Sequence, residues 1–342
     1  MKAPILISTL SFLLVFILGS CGSESGGIKA TGGAYEIVVV TDQSIWNDLV
    51  GDQLKDELAG PISGLPQPES AMRIMYVPTP QFKGILTLVR NILIVAIDET
   101  KYARASMKVD MDLWSAGQVV VYLTAPNHYV MIDYLDRNQG RIVNLFTRIE
   151  MRRMAEIMQK TYSYTVMEKV KSQFGIMLNV PQDMKAFRDT TDFFWTSNDA
   201  TKGRMDMVVY SFPYTDPQTF TREYMLAMRD SILGAHIPGS LPNSYMSTNQ
   251  EFTVYSPITL YGKYCGVLRG LWETKGDMMG GPFVSYARLD EANNRIIVAE
   301  GFVYAPESDK RNFMRRLEAS LHTLRLPGEF EMSLDGLAAV NE

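Results

Sequence analysis

The sequence predicts an α+β protein in two halves, and three observations predict it. Tyr35 to Thr41 (Tyr-Glu-Ile-Val-Val-Val-Thr) is a near-continuous β-branched run of strand length, the mark of a strand buried on both faces. From about Phe252 the pattern becomes long alternating strands, near 253–262, 264–274, 282–290 and 295–304, with Leu289 to Arg295 composed as a hairpin turn. Between them the order of elements repeats, as an old duplication would leave it.

The chain of 342 residues opens on Lys2 and a 14-residue apolar run, Ile5 to Leu18, softened only by Ser8, Thr9 and Ser11. A membrane span needs about 20 apolar residues, so this run has the layout of an export signal. It closes on Leu18-Gly19-Ser20-Cys21, which resembles the lipobox of bacterial lipoproteins. That resemblance implies a signal peptide at 1–20 and acylation, palmitate-like, of Cys21, and hence a membrane partner through the N-terminal lipid. At about 0.8 kcal/mol per buried CH₂, several acyl chains make such an anchor effectively permanent. Gly22 is not the aspartate that retains enterobacterial lipoproteins in the inner membrane, and Ser23 to Gly26 holds one acid and no acidic cluster. The expected location is therefore the cell envelope, at the outer membrane facing the periplasm.

Loss of residues 1–20 removes Lys2 and no acid, leaving 32 Lys/Arg against 38 Asp/Glu, a net of −6. That mild acidity gives no case for nucleic acid, and 46% apolar content excludes a disordered chain. Apart from Cys21 the single cysteine is Cys265, so no intramolecular disulfide is available; in a strand-like setting it reads as a buried apolar thiol.

Residues 21–33 are Ser/Gly-rich and read as a flexible tether. In the first half, 34–174, Asp42 and Ser44 offer caps to a helix from about Ile45 to Ala59, and Gly60 to Pro68 is a loop. A strand follows at Arg73 to Val77, a short helix at about Pro80 to Val89, an apolar strand at Asn91 to Ile97, and a strand at Gln118 to Thr124. Pro126-Asn127 starts a helical stripe that, apart from a weak point at Gly140, runs to about Ser172. Its outer face is basic, with eight Lys/Arg and three Glu from Arg137 to Lys171, either a solvated face or a patch for anionic headgroups.

In the second half, 175–325, Ile176-Met177 and Val180-Pro181 mirror Ile74-Met75 and Val77-Pro78. Each is followed by a short helix with a phenylalanine and an apolar strand ending in Asp, and Val208-Val209-Tyr210 repeats Val120-Val121-Tyr122. The loop Ile62 to Gln67 matches Ile237 to Asn243. These echoes predict two ferredoxin-like, split β-α-β halves from one internal duplication, the second extended by the antiparallel meander. A last helix runs to about Leu324, and 326–342 reads as a loosely held tail.

The lipobox, Glu36 to Val40, Gly64 to Pro68, Arg90 to Leu93, and Glu300 to Pro306 with Lys310-Arg311 together resemble an uncharacterised lipoprotein family of Bacteroidetes-type bacteria. That family is defined by a single long domain of unknown function, and it implies no reaction, ligand or catalytic residue.

No metal motif, phosphate loop, dinucleotide fingerprint or nucleophile elbow occurs, and no metal or cofactor is expected. The 21 methionines follow helix stripes and strand faces, where packing explains them. The chemical candidates are Asp42 and Asp98 at strand ends, His128 at a helix start and His236 in the second loop, with a His-Asp pair able to act as general base. The binding candidates are Gln67, His236, Asn243 and Tyr245 on the loops 60–69 and 234–250, with Tyr129, Trp114 and Trp195 as further aromatics able to stack on sugars or peptides. The expected function is non-catalytic binding or scaffolding of an envelope protein or glycan. The alternative is a glycan or peptide hydrolase using an Asp/His pair.

Overall fold

The computed structural model describes residues 27–332; Cys21 and the export signal lie outside the described residues. The first half is a five-stranded sheet of β1 (Glu36–Thr41), β2 (Arg73–Pro78), β3 (Asn91–Ile97), β4 (Ser106–Met111) and β5 (Val119–Ala125), in the order β2-β1-β3-β5-β4. All neighbours are parallel except β4, which is antiparallel to β5. Ile37 and Val39 face one layer while Val38 and Val40 face the other, which is why β1 is apolar throughout. The first layer holds α2 (Leu49–Ala59), α3 (His128–Arg137) and α4 (Arg141–Lys160), behind the short α1 (Gln43–Trp46). Among the described residues the second is covered by the segment 79–89, with Phe82 and Leu86 laid on Val38, Val77 and Val120.

The expected helices are divided by their caps. Asp48 restarts the helix after α1, its Oδ1 accepting from the Val50 and Gly51 amides at 2.9 and 3.3 Å. Gly51 is needed there, because a Cβ would stand 2.1 Å from the Trp46 carbonyl oxygen. Gly140, at φ 75°, separates α3 from α4. The new helix end is capped from α2 in the same layer by Glu57 Oε1, which accepts from Ile142 N at 2.9 Å. A second break at Thr161–Ser163 frees α5 (Tyr164–Phe174) to join the second half.

That half is an eight-stranded, wholly antiparallel sheet: β6 (Ala186–Thr190), β7 (Phe193–Ser197), β8 (Arg204–Pro213), β9 (Tyr245–Tyr255), β10 (Ile258–Leu260), β11 (Lys263–Lys275), β12 (Gly280–Asp290) and β13 (Arg295–Tyr304). Its order is β10-β11-β12-β13-β8-β7-β6, with β9 also on β11. One face packs on α5, the segment 176–184 and α7 (Arg311–Leu321); the other packs on α6 (Arg222–His236). Gly301 admits α7, since a Cβ there would meet Leu317 Cβ at 2.7 Å.

The α+β class, two halves and meander stand, but the wiring differs from two split β-α-β repeats. One sheet is mainly parallel and the other antiparallel, so the sequence echo does not extend to topology. Ile176 to Val180, which echoes the first-half strand Arg73 to Val77 in sequence, is a buried connection bridged at Met177 to Arg325. Phe187 lies on β6 rather than a helix, and the polar stretch 98–112 contains β4.

The boundaries of tether and tail also shift. Ala30 N donates to Ala116 O at 3.0 Å and Thr31 N to Leu88 O at 2.8 Å, so residues 28–31 are pinned to the sheet. In the tail, Glu329 accepts from both terminal nitrogens of the buried Arg288, each at 2.7 Å. The same guanidinium also donates to the Leu324 and Leu260 carbonyls at 3.0 and 3.2 Å, and Arg325 Nη2 reaches the Met332 carbonyl at 2.8 Å, so the chain is held as far as Met332.

Candidate functional site

Parallel β1, β3 and β5 end at the same edge, so the residues after them gather there: Asp42 after β1, Asp98 after β3, and Asn127 and His128 after β5. The strand order reverses between β1 and β3, and open sheets place ligands outside the carboxyl ends at such a reversal. Three of the four chemical candidates thus share one edge. Their bonds, however, give them different work.

His128 Nδ1 pairs with Asp48 Oδ2, a residue the sequence reading passed over. The usable signal was an N-cap residue, Asp48, inside an apparently continuous helix. Holding Nδ1 leaves Nε2 as the nitrogen that could exchange a proton, the orienting half of a general-base dyad. Asp98 is occupied otherwise. A hydrogen bond from Lys101, with further bonds from Thr100, holds its carboxyl down at about 2. An exposed carboxylate so stabilised is a turn anchor rather than a base. Asp42 caps α1 by position, without a side-chain hydrogen bond. His236 is in the other half, at the end of α6, its ring stacked on Phe193 at 4.2 Å.

The two loops meet different partners. In the first, Gly64 has φ 82° and lies on Arg269, while Leu65 packs on the second half's core. Glu69 accepts from the amides of Lys310 and Arg311 at 2.7 and 2.8 Å, capping α7 where its own sequence offers no cap. Gln67 Oε1 is taken by Lys310 Nζ at 2.7 Å. This loop is the clamp between halves, not an open surface. The second is only 237–244, because α6 extends to His236 and β9 begins at Tyr245. Asn243 has φ 63°, a left-handed turn position suited to its side chain, and Ser240 N donates to Asp277 at 2.7 Å. Tyr245 is partly exposed at the start of β9. Trp195 donates to the buried Asp206 at 3.0 Å.

On the basic stripe, Arg153 turns inward to Asn91, Glu150 and the Gly117 carbonyl, with burial pulling its guanidinium below its ordinary value. Cys265 is fully buried, and burial pushes its thiol up to about 12. Among the described residues no group of three or more His, Cys, Asp or Glu is placed to hold a metal ion.

An opening lies in the second half, on the face that carries α6. Tyr214 follows β8, Phe220 ends a 3₁₀ turn at Pro217–Phe220, and Tyr264 starts β11 after the Tyr261-Gly262 turn. Phe220 stands 6.3 Å from Tyr214 and 5.1 Å, edge to face, from Tyr264. With Pro217, Leu289, Lys263 and Glu291 they line a cleft of about 430 Å³. Lys263 and Glu291 face each other at 3.9 Å on its rim. Tyr264 is half exposed, and its hydroxyl is fixed by Tyr255 at 2.8 Å. Apolar ring faces with a polar rim suit a ring-shaped polar ligand. Sequence reading missed these rings because Tyr264 lies 50 residues along the chain from Tyr214 and 44 from Phe220.

A search of curated proteins found no match. Two family models match, one to each half: a domain of unknown function (DUF8532) over residues 30–159 and another (DUF4837) over residues 163–323, so that domains of unknown function cover the chain and their boundary falls at the turn between α4 and α5.

Proposed function

We propose that this chain is a lipid-anchored cell-envelope protein, held through Cys21 at the outer membrane and facing the periplasm, that binds an envelope glycan without turning it over. The observation that carries the binding role is the cleft of Tyr214, Phe220 and Tyr264 with Lys263 and Glu291 on its rim. Aromatic faces take the apolar face of a sugar ring, and the two charges can bond its substituents. The anchor rests on Leu18 to Cys21.

Titration with N-acetylglucosamine oligomers and muramyl peptides, followed by calorimetry, tests the ligand class. Wild-type binding lost in Phe220→Ala and Tyr264→Ala at unchanged melting temperature is the expected result. No binding by the wild type, or equal binding by the variants, sinks it; capture of unglycosylated peptide alone would move the ligand to a peptide. For the anchor, globomycin or Cys21→Ala should leave a slower-migrating precursor without acyl label.

The paired Asp48 and His128 support a second reading, hydrolysis of an envelope glycan or peptide at the carboxyl edge of the first sheet. That dyad lies outside the aromatic cleft. Release of product from peptidoglycan by the wild type and not by His128→Ala would favour it.

A further inference from the structure

The opposite, amino-terminal edge of the first sheet carries an apolar rim that the fold does not use. Ile28 is 63% exposed, Ile85 74%, Leu113 44% and Trp114 38%. They belong to three segments knitted side by side. Ala116 N donates to Ile28 O at 2.8 Å, Ser115 Oγ to Leu88 O at 3.2 Å, and Gln118 Nε2 to Thr87 O at 2.6 Å. Phe82 supports Trp114 edge to face at 5.7 Å, so the indole is held from behind. Lys29 and Lys83, both exposed, flank the rim.

The covalent path says what such a rim meets. Residues 28–31 are bonded to this edge, so the path along the chain to Cys21 starts from here. Cys21 is seven residues away, a reach of at most roughly 25 Å even fully extended. A lipid on Cys21 would bring this edge of the protein, before any other, against the headgroups. Its composition fits that layer. Trp is favoured at the membrane–water interface, exposed aliphatic side chains gain by shallow insertion, and two lysines complement anionic lipid.

We infer that Ile28, Ile85, Leu113 and Trp114, with Lys29 and Lys83, form a bilayer-docking surface. This rests on the reading that Cys21 is acylated. The docked face points the carboxyl edge, with Asp48, His128 and the exposed Tyr129, away from the membrane, since β5 of seven residues separates the two edges.

The test reconstitutes the full chain into vesicles of phosphatidylethanolamine and phosphatidylglycerol whose acyl chains carry a photoactivatable diazirine. Labelled residues are mapped by mass spectrometry, and the intact mass of the same preparation reports its acyl chains. Labelling at 84–90 and 113–114 several-fold above that at Tyr129, and lowered by Ile85→Glu, is the expected result. An acylated chain labelled no more at Ile85 than at Tyr129 overturns the docking surface and leaves the anchor. An unacylated chain that still labels at Ile85 keeps the surface and removes the anchor, while one without either overturns both. A dimer in detergent that Ile85→Glu splits would assign the face to a second copy and overturn the inference.

Discussion

The two halves solve the same problem, a sheet with both faces to cover, by opposite means. The first sheet is packed with apolar residues on one face by three helices, while on its other face, among the described residues, the segment 79–89 lies over Val38, Val40, Val77, Ile92 and Val120. The second is covered on both faces and carries arginines inside its layers. Arg229 is bonded to Glu300 through Nε and Nη2 at 2.9 and 2.7 Å and lies 3.8 Å over the Phe283 ring, both ion-pair partners fully buried. Arg288 with Glu329 and Arg269 with Glu318 repeat the device on the other face. A parallel sheet keeps its polar groups at its edges, where strands end together. A wide antiparallel sheet with long strands has polar residues along its length, and those facing a covered side must find partners there.

The largest test of this contrast is Arg229→Ala. It strands Glu300 in the core, and unfolding in urea should show a loss on the order of 3–5 kcal/mol, whereas Arg229→Met with Glu300→Leu should recover most of it, because a well-packed apolar pair replaces a desolvated ionic one at little cost. A single variant as stable as the wild type would remove the buried pair from the account.

Acid should act chiefly on the second half. Burial lowers the affinity of His322 for a proton, so the folded chain stays neutral there while the unfolded chain ionises as pH falls through about 6.5. Burial alone would raise Glu318, but Arg269 and then Arg315 outweigh it and hold the carboxyl at about 2. A depressed carboxylate stabilises fully above its unfolded value of 4.5 and loses that contribution as pH falls from there towards 2. The melting temperature should therefore decline from about pH 6.5 and more steeply below 4.5, with Glu318→Gln flattening the lower limb. A profile level from pH 7 to 4 contradicts both assignments.

The join between halves should be weaker than either core. Glu69→Ala removes a cap from α7 and should cost about 1 kcal/mol, read as lower stability in urea and faster proteolysis in 60–70. Unchanged cleavage would mean that the clamp depends on Leu65 and Gly64 alone. Cys265 should resist thiol reagents until the second half unfolds, and rapid labelling of the native chain would contradict its burial. The smallest effect belongs to the exposed edge of the first half. His128→Ala breaks a partly exposed pair and should change stability by less than about 1 kcal/mol; a larger loss would make Asp48 and His128 a structural lock between α2 and α3.

The residues by themselves determined the apolar strands, the closing meander, the buried state of Cys265 and the places of Asp42 and Asp98 at strand ends and of His128 at a helix start. Period-two alternation, β-branched runs and cap residues act over a few positions, so they are written locally. They also suggested a duplication, because short runs such as Val-Val-Tyr suit a buried strand of either direction. Whether β3 would lie parallel to β1, that β4 would form from a polar stretch, that Asp48 rather than Asp98 would meet His128, that Glu69 would cap a helix more than 240 residues later, and that Tyr214, Phe220 and Tyr264 would share one cleft were decided only by tertiary structure. Each depends on a contact between distant segments whose strength comes from burial, and a local pattern states that a side chain will be buried without stating against what.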